Sequence, residues 1–233
     1  MSEESLQKVA GINHLPVFPL PLVMLPNELL PLHIFEDRYR KMLRDVEADR
    51  NLFGIMLYEP QEDFIDRPPL GSVGCIAEIR DSETFEDGRS NILTLGVIRF
   101  RLIDYVDTGE PYLVGAIEFF EDDAEGPDTL EPLADEVFGW FERLAKAAFK
   151  MGGRRGRLPE IARVEPEALS FLITAAFNFE NEKKYDLLKM TSTIERLNDL
   201  LGILKQAVTR MEETADLQAV SHTNGHSKKK IDL

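Results

Sequence analysis

Near residue 125 the apolar residues of this 233-residue chain change their spacing, and no other feature limits its fold so strongly. Upstream they come in short runs punctuated by Pro, Gly, Asn and Asp, as strands and turns do. Past Glu125, Gly126, Pro127 and Asp128 they recur every three or four positions, which is the helical period. Strands followed by helices place the chain in the α+β class.

Residues 1–13 hold no sustained period and are expected to be a disordered N-terminus. The runs HLPVFPL (14–20) and LLPLHIF (29–35) read as strands, and their prolines suit an edge strand or a strand with bulges because proline brings no N–H to a ladder. Tyr39, Met42, Leu43 and Val46 then mark one face of a helix that Glu36 or Asp37 can cap. A strand buried on both faces follows at 52–58, then a polar loop at 60–69. Long strands at 73–85 and 90–106 meet through Asp87 and Gly88, a pair suited to a type I′ turn. A last strand at 112–120 ends in Glu121, Asp122 and Asp123, which read as a solvated turn.

The β subdomain is thus expected over 14–124 and a helical subdomain over 128–213. In the latter, Leu133, Val137, Trp140, Phe141, Leu144 and Ala148 share one helix face, and Leu169, Leu172, Ile173 and Ala176 share another. Asn181 is placed to cap a short helix, and Ser192 with Glu195 forms a capping box ahead of the stripe from Ile194 to Met211. Beyond Thr214 the stripe fades, and 214–233, ending in Lys228, Lys229 and Lys230, reads as a disordered basic tail.

Charge and motif content exclude most chemistry. With 27 Lys+Arg against 42 Asp+Glu, the net charge is −15, and such a chain is repelled by phosphate backbones. No nucleic acid is therefore expected; Arg154, Arg155 and Arg157 are the basic cluster that a contrary reading would need. A single cysteine, Cys75, excludes an internal disulfide and lies in an apolar strand, where thiols are inert packing groups. His14, His33, His222 and His226 are joined by no HExxH motif or Cys/His cluster, so no metal and no cofactor are expected. Neither a Walker A loop nor a GxSxG elbow occurs, and the chain does not read as an enzyme. The polar first residues contain no signal-peptide run, and no window reaches membrane-span length. A cytoplasmic protein without membrane contact is expected.

Six marks in order resemble the LON substrate-binding domain, the N-terminal domain of Lon proteases. They are LPVFPL (15–20) with VMLP (23–26), LPLHIFEDRYR (30–40), GSVGCIAEI (71–79), DGR (87–89), GVIRFR (96–101) and YLV (112–114). The helical half ends in the family manner, with 191–195 leading into RLNDLL (196–201). The resemblance covers about 14–213 and looks closest to short bacterial proteins made of this domain alone. It implies a PUA-like, mostly antiparallel β pseudo-barrel with one inserted helix, followed by a C-terminal helical bundle. It implies a non-catalytic module that recognises unfolded or tagged polypeptides, with a protease or chaperone as further partner, and without ATPase or peptidase modules. The alternative, also implied by the fold, is a PUA-like module for RNA or a small ligand, which the charge opposes.

Proline-rich edge strands leave backbone groups open to strand addition, and a crevice between β and helical parts can take apolar side chains. The expected contact residues are Leu22, Met24 and Leu25 on the proline-bounded segment, with Phe64 and Ile65 in the loop after the third strand. Glu36, Arg38, Tyr39, Gly74, Gly88 and Gly96 are expected to be structural, with an Arg38–carboxylate bond and Tyr39 packing pinning the first turn of the helix.

Overall fold

Strands β1 (His14–Leu20), β2 (Leu29–Ile34), β3 (Leu52–Leu57), β4 (Val73–Thr84), β5 (Ser90–Tyr105) and β6 (Leu113–Phe119) form one sheet. The structure is a computed structural model that describes residues 3–59, 67–151 and 161–224. The helices are α1 (Glu3–Val9), α2 (Asp37–Glu47), α3 (Pro127–Met151), α4 (Pro166–Ala176), α5 (Asn181–Lys189) and α6 (Thr193–Asn224). The mixed fold expected from the periods is therefore present. Sheet order is β2-β5-β4-β3-β1-β6, and β5 also pairs with β6. Strands β5, β4, β3, β1 and β6 thus close into a ring, with β2 outside it. Only β1–β3 is parallel.

The long β5 makes closure possible. Its first half pairs with β2, its second half with β6, and β4 runs beside both. Register shifts in β4–β5 lie between Cys75 and Ala77 and between Ile79 and Asp81, where bulges increase the twist that a ring needs. Inside, the Phe100 ring lies over Gly54 and Gly74; a Cβ on either glycine would come within 2.6 Å of Phe100 Cζ. On the other face α2 buries Tyr39, Met42, Leu43 and Val46 against Phe18, Phe53, Ile55 and Ile92. Each such side chain contributes roughly 1.5–3 kcal/mol on burial.

Several expectations are corrected by tertiary contacts. β1 is an interior strand, yet its prolines are tolerated: 14–17 pairs with β6 and 17–20 with β3, so Pro16 and Pro19 each sit where the ladder has one neighbour. The first residues are helical rather than disordered, because Val9 is buried, Arg50 Nη1 donates to the Ala10 carbonyl (2.9 Å) and Lys8 pairs with Glu78 (3.1 Å). The β4–β5 turn is not type I′: Phe85 N–H donates to Arg89 O, and only Gly88 of the loop has positive φ, +79°. It is the three-residue loop ending on a left-handed glycine. Leu172 is 37% exposed, and α4 instead buries Leu169, Phe171, Ile173 and Thr174. Asn181 does not cap α5; Glu180 is the N-cap, and Asn181 Nδ2 donates to Pro21 O (3.0 Å) and Glu59 (2.8 Å). Helix α6 continues to Asn224, past the fading stripe.

The helical stretch expected over 128–213 is divided between two compact units. One comprises 1–124 with 167–193, so α4 and α5 belong with the sheet. The other comprises 125–166 and 194–233. In it α3 and α6 bury Ala134, Val137, Leu197, Leu200, Leu204 and Val208, and Lys205 pairs with Glu136 at 2.8 Å. The Ile194 N–H, free at the start of α6, is satisfied by Glu125 at 2.9 Å.

In α2, Glu36 stands at the N-cap in extended conformation, and its carbonyl accepts from Tyr39 and Arg40 N–H. Arg38 pairs with Glu36 at 2.9 Å, but the two side chains are 53% and 42% exposed. Tyr39 is buried, and its ring packs tilted by 42° against Phe18 with centres 4.1 Å apart. Arg38→Ala should therefore cost at most about 1 kcal/mol, or roughly 2–4 °C in melting temperature. Tyr39→Ala should cost about 3 kcal/mol or more, and thermal melts of the two variants check the order.

Candidate functional site

The open edge of the sheet is β2. Among the described residues it pairs with β5 alone. Its burial alternates: Leu29, Pro31 and His33 face solvent, while Leu30 and Leu32 are half-buried and Ile34 is fully buried in the core under α2. Phe35 continues the exposed row at 60%, with Leu29 at 59%. His33 stacks on Phe35 with ring centres 6.0 Å apart, and its Nδ1 lies 2.7 Å from Asn91 Oδ1. Behind this row on the same face stand Leu93 and Leu95 of β5, both half-buried, paired with Pro31 and Leu29. Three apolar side chains and a histidine thus border a strand edge with a neighbour on one side only.

The expected contact residues lie apart from this row. Met24 and Leu25 are 1% and 0% exposed. Leu25 packs with Val23, Val73, Phe171 and Leu188 and fills the space between this segment and helices α4 and α5. Leu22 is half-buried against the core. Phe64 and Ile65 lie outside the described residues, as do Arg154, Arg155 and Arg157. The row on β2 was missed although LLPLHIF is apolar at both odd and even positions, a pattern whose second face must find a cover or remain exposed.

Arg99, within GVIRFR, organises the site's scaffold. It is 2% exposed, and Nη1 donates to the carbonyls of Leu188 (3.0 Å) and Met190 (2.6 Å) at the end of α5. Its Nη2 forms a short ion pair with Asp122, and Phe120 and Phe171 stack near the guanidinium at 4.5 and 5.2 Å. The acidic run is therefore a solvated turn at Glu121 and Asp123 but not at Asp122. Asp122 also accepts from Thr193, and Asp123 from Thr191 (2.8 Å), so the run ties β6 to the α5–α6 connection.

In a groove of about 220 Å³ lined by His14, Asp45, Asp49, Arg50 and Tyr112 among others, Asp45 accepts from Lys41 (2.7 Å) and Tyr112 (2.8 Å). The lysine hydrogen bond lowers the pKa of Asp45. Burial, then the bond to Asp45, pushes the Tyr112 phenol up to about 12. Burial likewise pushes the Cys75 thiol well above the usual thiol range, which makes it a poor nucleophile. Among the described residues no group of three His, Cys, Asp or Glu could hold a metal ion. No helix among them is long and apolar enough to cross a membrane.

A closed β ring with an outlying edge strand and two helices fastened by a buried arginine defines a domain of the Lon N-terminal type. The chain belongs to the family of the ATP-dependent protease La (LON) substrate-binding domain, whose model matches residues 14–206. It is 26% identical to Lon protease 2 of Herpetosiphon aurantiacus over 206 residues, covering 85% of this chain and 24% of that protein. Lon protease of Flavobacterium johnsoniae is 25% identical over 210 residues, 88% of this chain and 25% of that one. The chain spans about a quarter of the length of these curated relatives. Its fold is similar to that of the Lon N-terminal domain protein from Xanthomonas campestris (TM-score 0.58, 24% identity, 82% of this chain and 98% of that one). The N-terminal domain of Mycobacterium avium complex Lon protease is also similar (TM-score 0.61, 22% identity, the same coverage).

Proposed function

We propose that the chain is a recognition module that binds unfolded or tagged polypeptides without hydrolysing them. The exposed apolar row on the free edge of β2 carries this reading, because a monomeric domain gains nothing by leaving Leu29 and Phe35 in water. Membership in a substrate-binding family supports it, and burial raises the pKa of the Cys75 thiol well above the usual thiol range. In the cytoplasm such a module would hold clients for a protease or chaperone, and its surplus of 15 negative charges would keep the loaded protein soluble.

Titrating fluorescein-labelled unfolded casein with the full chain tests the proposal. Anisotropy should rise with saturation at micromolar protein, the casein should stay intact on gels, and added ATP should not be consumed. A flat titration at high micromolar protein overturns the reading, and cleaved casein overturns its non-catalytic part.

A further inference from the structure

The geometry points to a specific mode of capture: an extended polypeptide segment adds to the open edge of β2 as a new strand, in a register set by Pro31. This rests on the polypeptide-binding reading and names its site. In an antiparallel ladder, bonded and non-bonded pairs alternate. Gly96 N–H donates to the Glu28 carbonyl and its own carbonyl accepts from Asn27 N–H, both at 2.9 Å, so Gly96 turns both backbone groups toward the β2 side and residues two apart along β5 do the same. With the register of β2 on β5, the next bonded pairs are Leu30–Thr94, Leu32–Ile92 and Ile34–Ser90. Those residues direct their N–H and C=O groups at β5. Leu29, Pro31 and His33 turn theirs to the open side.

Pro31 therefore stands where its missing N–H costs the β2–β5 ladder nothing. It interrupts the outer row, which keeps donors at Leu29 and His33 and acceptors at all three residues. Proline on an exposed edge also limits indiscriminate pairing. Side chains define the occupant further. An added strand would meet Leu29, Pro31 and Phe35 on one face and the half-buried Leu30 and Leu32 on the other. The fit is to consecutive apolar residues, a pattern typical of interior strands that become accessible when their own fold opens.

Charge selects the flanks. Asp81 and Glu83 are cross-strand from Leu93 and Asn91 on the exposed face, and neither has an ion partner among the described residues. Arg38 and Arg89, by contrast, are paired with Glu36 and Asp87. The unneutralised charge beside the edge is negative, like the chain's −15, which favours Lys or Arg flanks and disfavours a second copy of this chain.

The test uses the full chain and a fluorescein-labelled peptide whose apolar run, matched to the six residues of β2, is flanked by lysines. Pro31→Ala removes apolar surface but restores an outward donor, and should tighten peptide binding about threefold to tenfold. His33→Pro should weaken it by a similar factor relative to His33→Ala, which controls for the lost imidazole. Methylating the peptide's backbone amides one at a time should weaken binding at every second position only, and glutamate flanks should weaken it severalfold. If Pro31→Ala leaves affinity unchanged or lowers it, or if methylation shows no alternation, strand addition at β2 is overturned. Unfolded casein, titrated in parallel, separates the two readings. Casein that binds wild-type protein and both edge variants equally leaves polypeptide recognition standing and removes this site, whereas casein that never binds removes both.

Discussion

Arg99→Ala should destabilise the domain by about 3–5 kcal/mol, a large part of the roughly 5–15 kcal/mol that keeps such a domain folded. The side chain is 2% exposed, and its removal leaves three partners wanting at once. The Leu188 and Met190 carbonyls each lose a donor at the end of α5, and the Asp122 carboxylate, 7% exposed, loses a cationic partner. Breaking one side of a buried ion pair costs more than the pair contributes when intact, because the remaining group stays poorly solvated. Arg99→Lys should recover little, because a single ammonium cannot serve two carbonyls and a carboxylate from positions set by a planar fork. Urea midpoints measured by circular dichroism check this; a loss below about 1 kcal/mol would mean that Arg99 is not what fastens α5 to the sheet.

Gly96→Ala should cost about 3 kcal/mol, more than the usual core overpacking, because the obstacle is backbone. A Cβ there would press on the Leu25 carbonyl oxygen, 2.9 Å from its carbon and 3.3 Å from Cys75 Sγ. Leu25 cannot retreat: its N–H donates to Glu28 Oε2 at 2.9 Å, its carbonyl accepts from Glu28 N–H, and its side chain is fully buried. Gly96 also bonds Glu28 and Asn27, so displacement would disturb the start of the β2–β5 register. The same substitution at Gly139 in α3 or Gly202 in α6 meets nothing within 4 Å and should stabilise by about 0.5–1 kcal/mol. Opposite signs for one chemical change would tie the cost to place; a Gly96→Ala variant as stable as wild type would refute the close approach.

Strand and helix positions were legible because each is a local matter of period and punctuation. HLPVFPL, LLPLHIF and the two long β runs all became strands, and Tyr39, Met42, Leu43 and Val46 did form the buried face of a helix. Arg99 could not be read as a hub, since its partners Asp122, Leu188 and Met190 lie 23, 89 and 91 residues away. Nor could local pattern separate the two proline-bearing strands: both look like edges, yet pairing with β3 and β6 takes β1 inside and leaves β2 alone at the rim.

By itself the amino-acid order determined the element types, the change from strands to helices near residue 125, the acidic surface and the family. Those depend on side-chain period, charge and motif order along a line. Only the tertiary structure decided that Met24 and Leu25 are core, that Asp122 is a buried counter-ion, and that the solvent-facing row on β2 borders backbone unpaired among the described residues. Burial and pairing arise when distant segments meet, and a strand's own sequence does not say how many neighbours it will have.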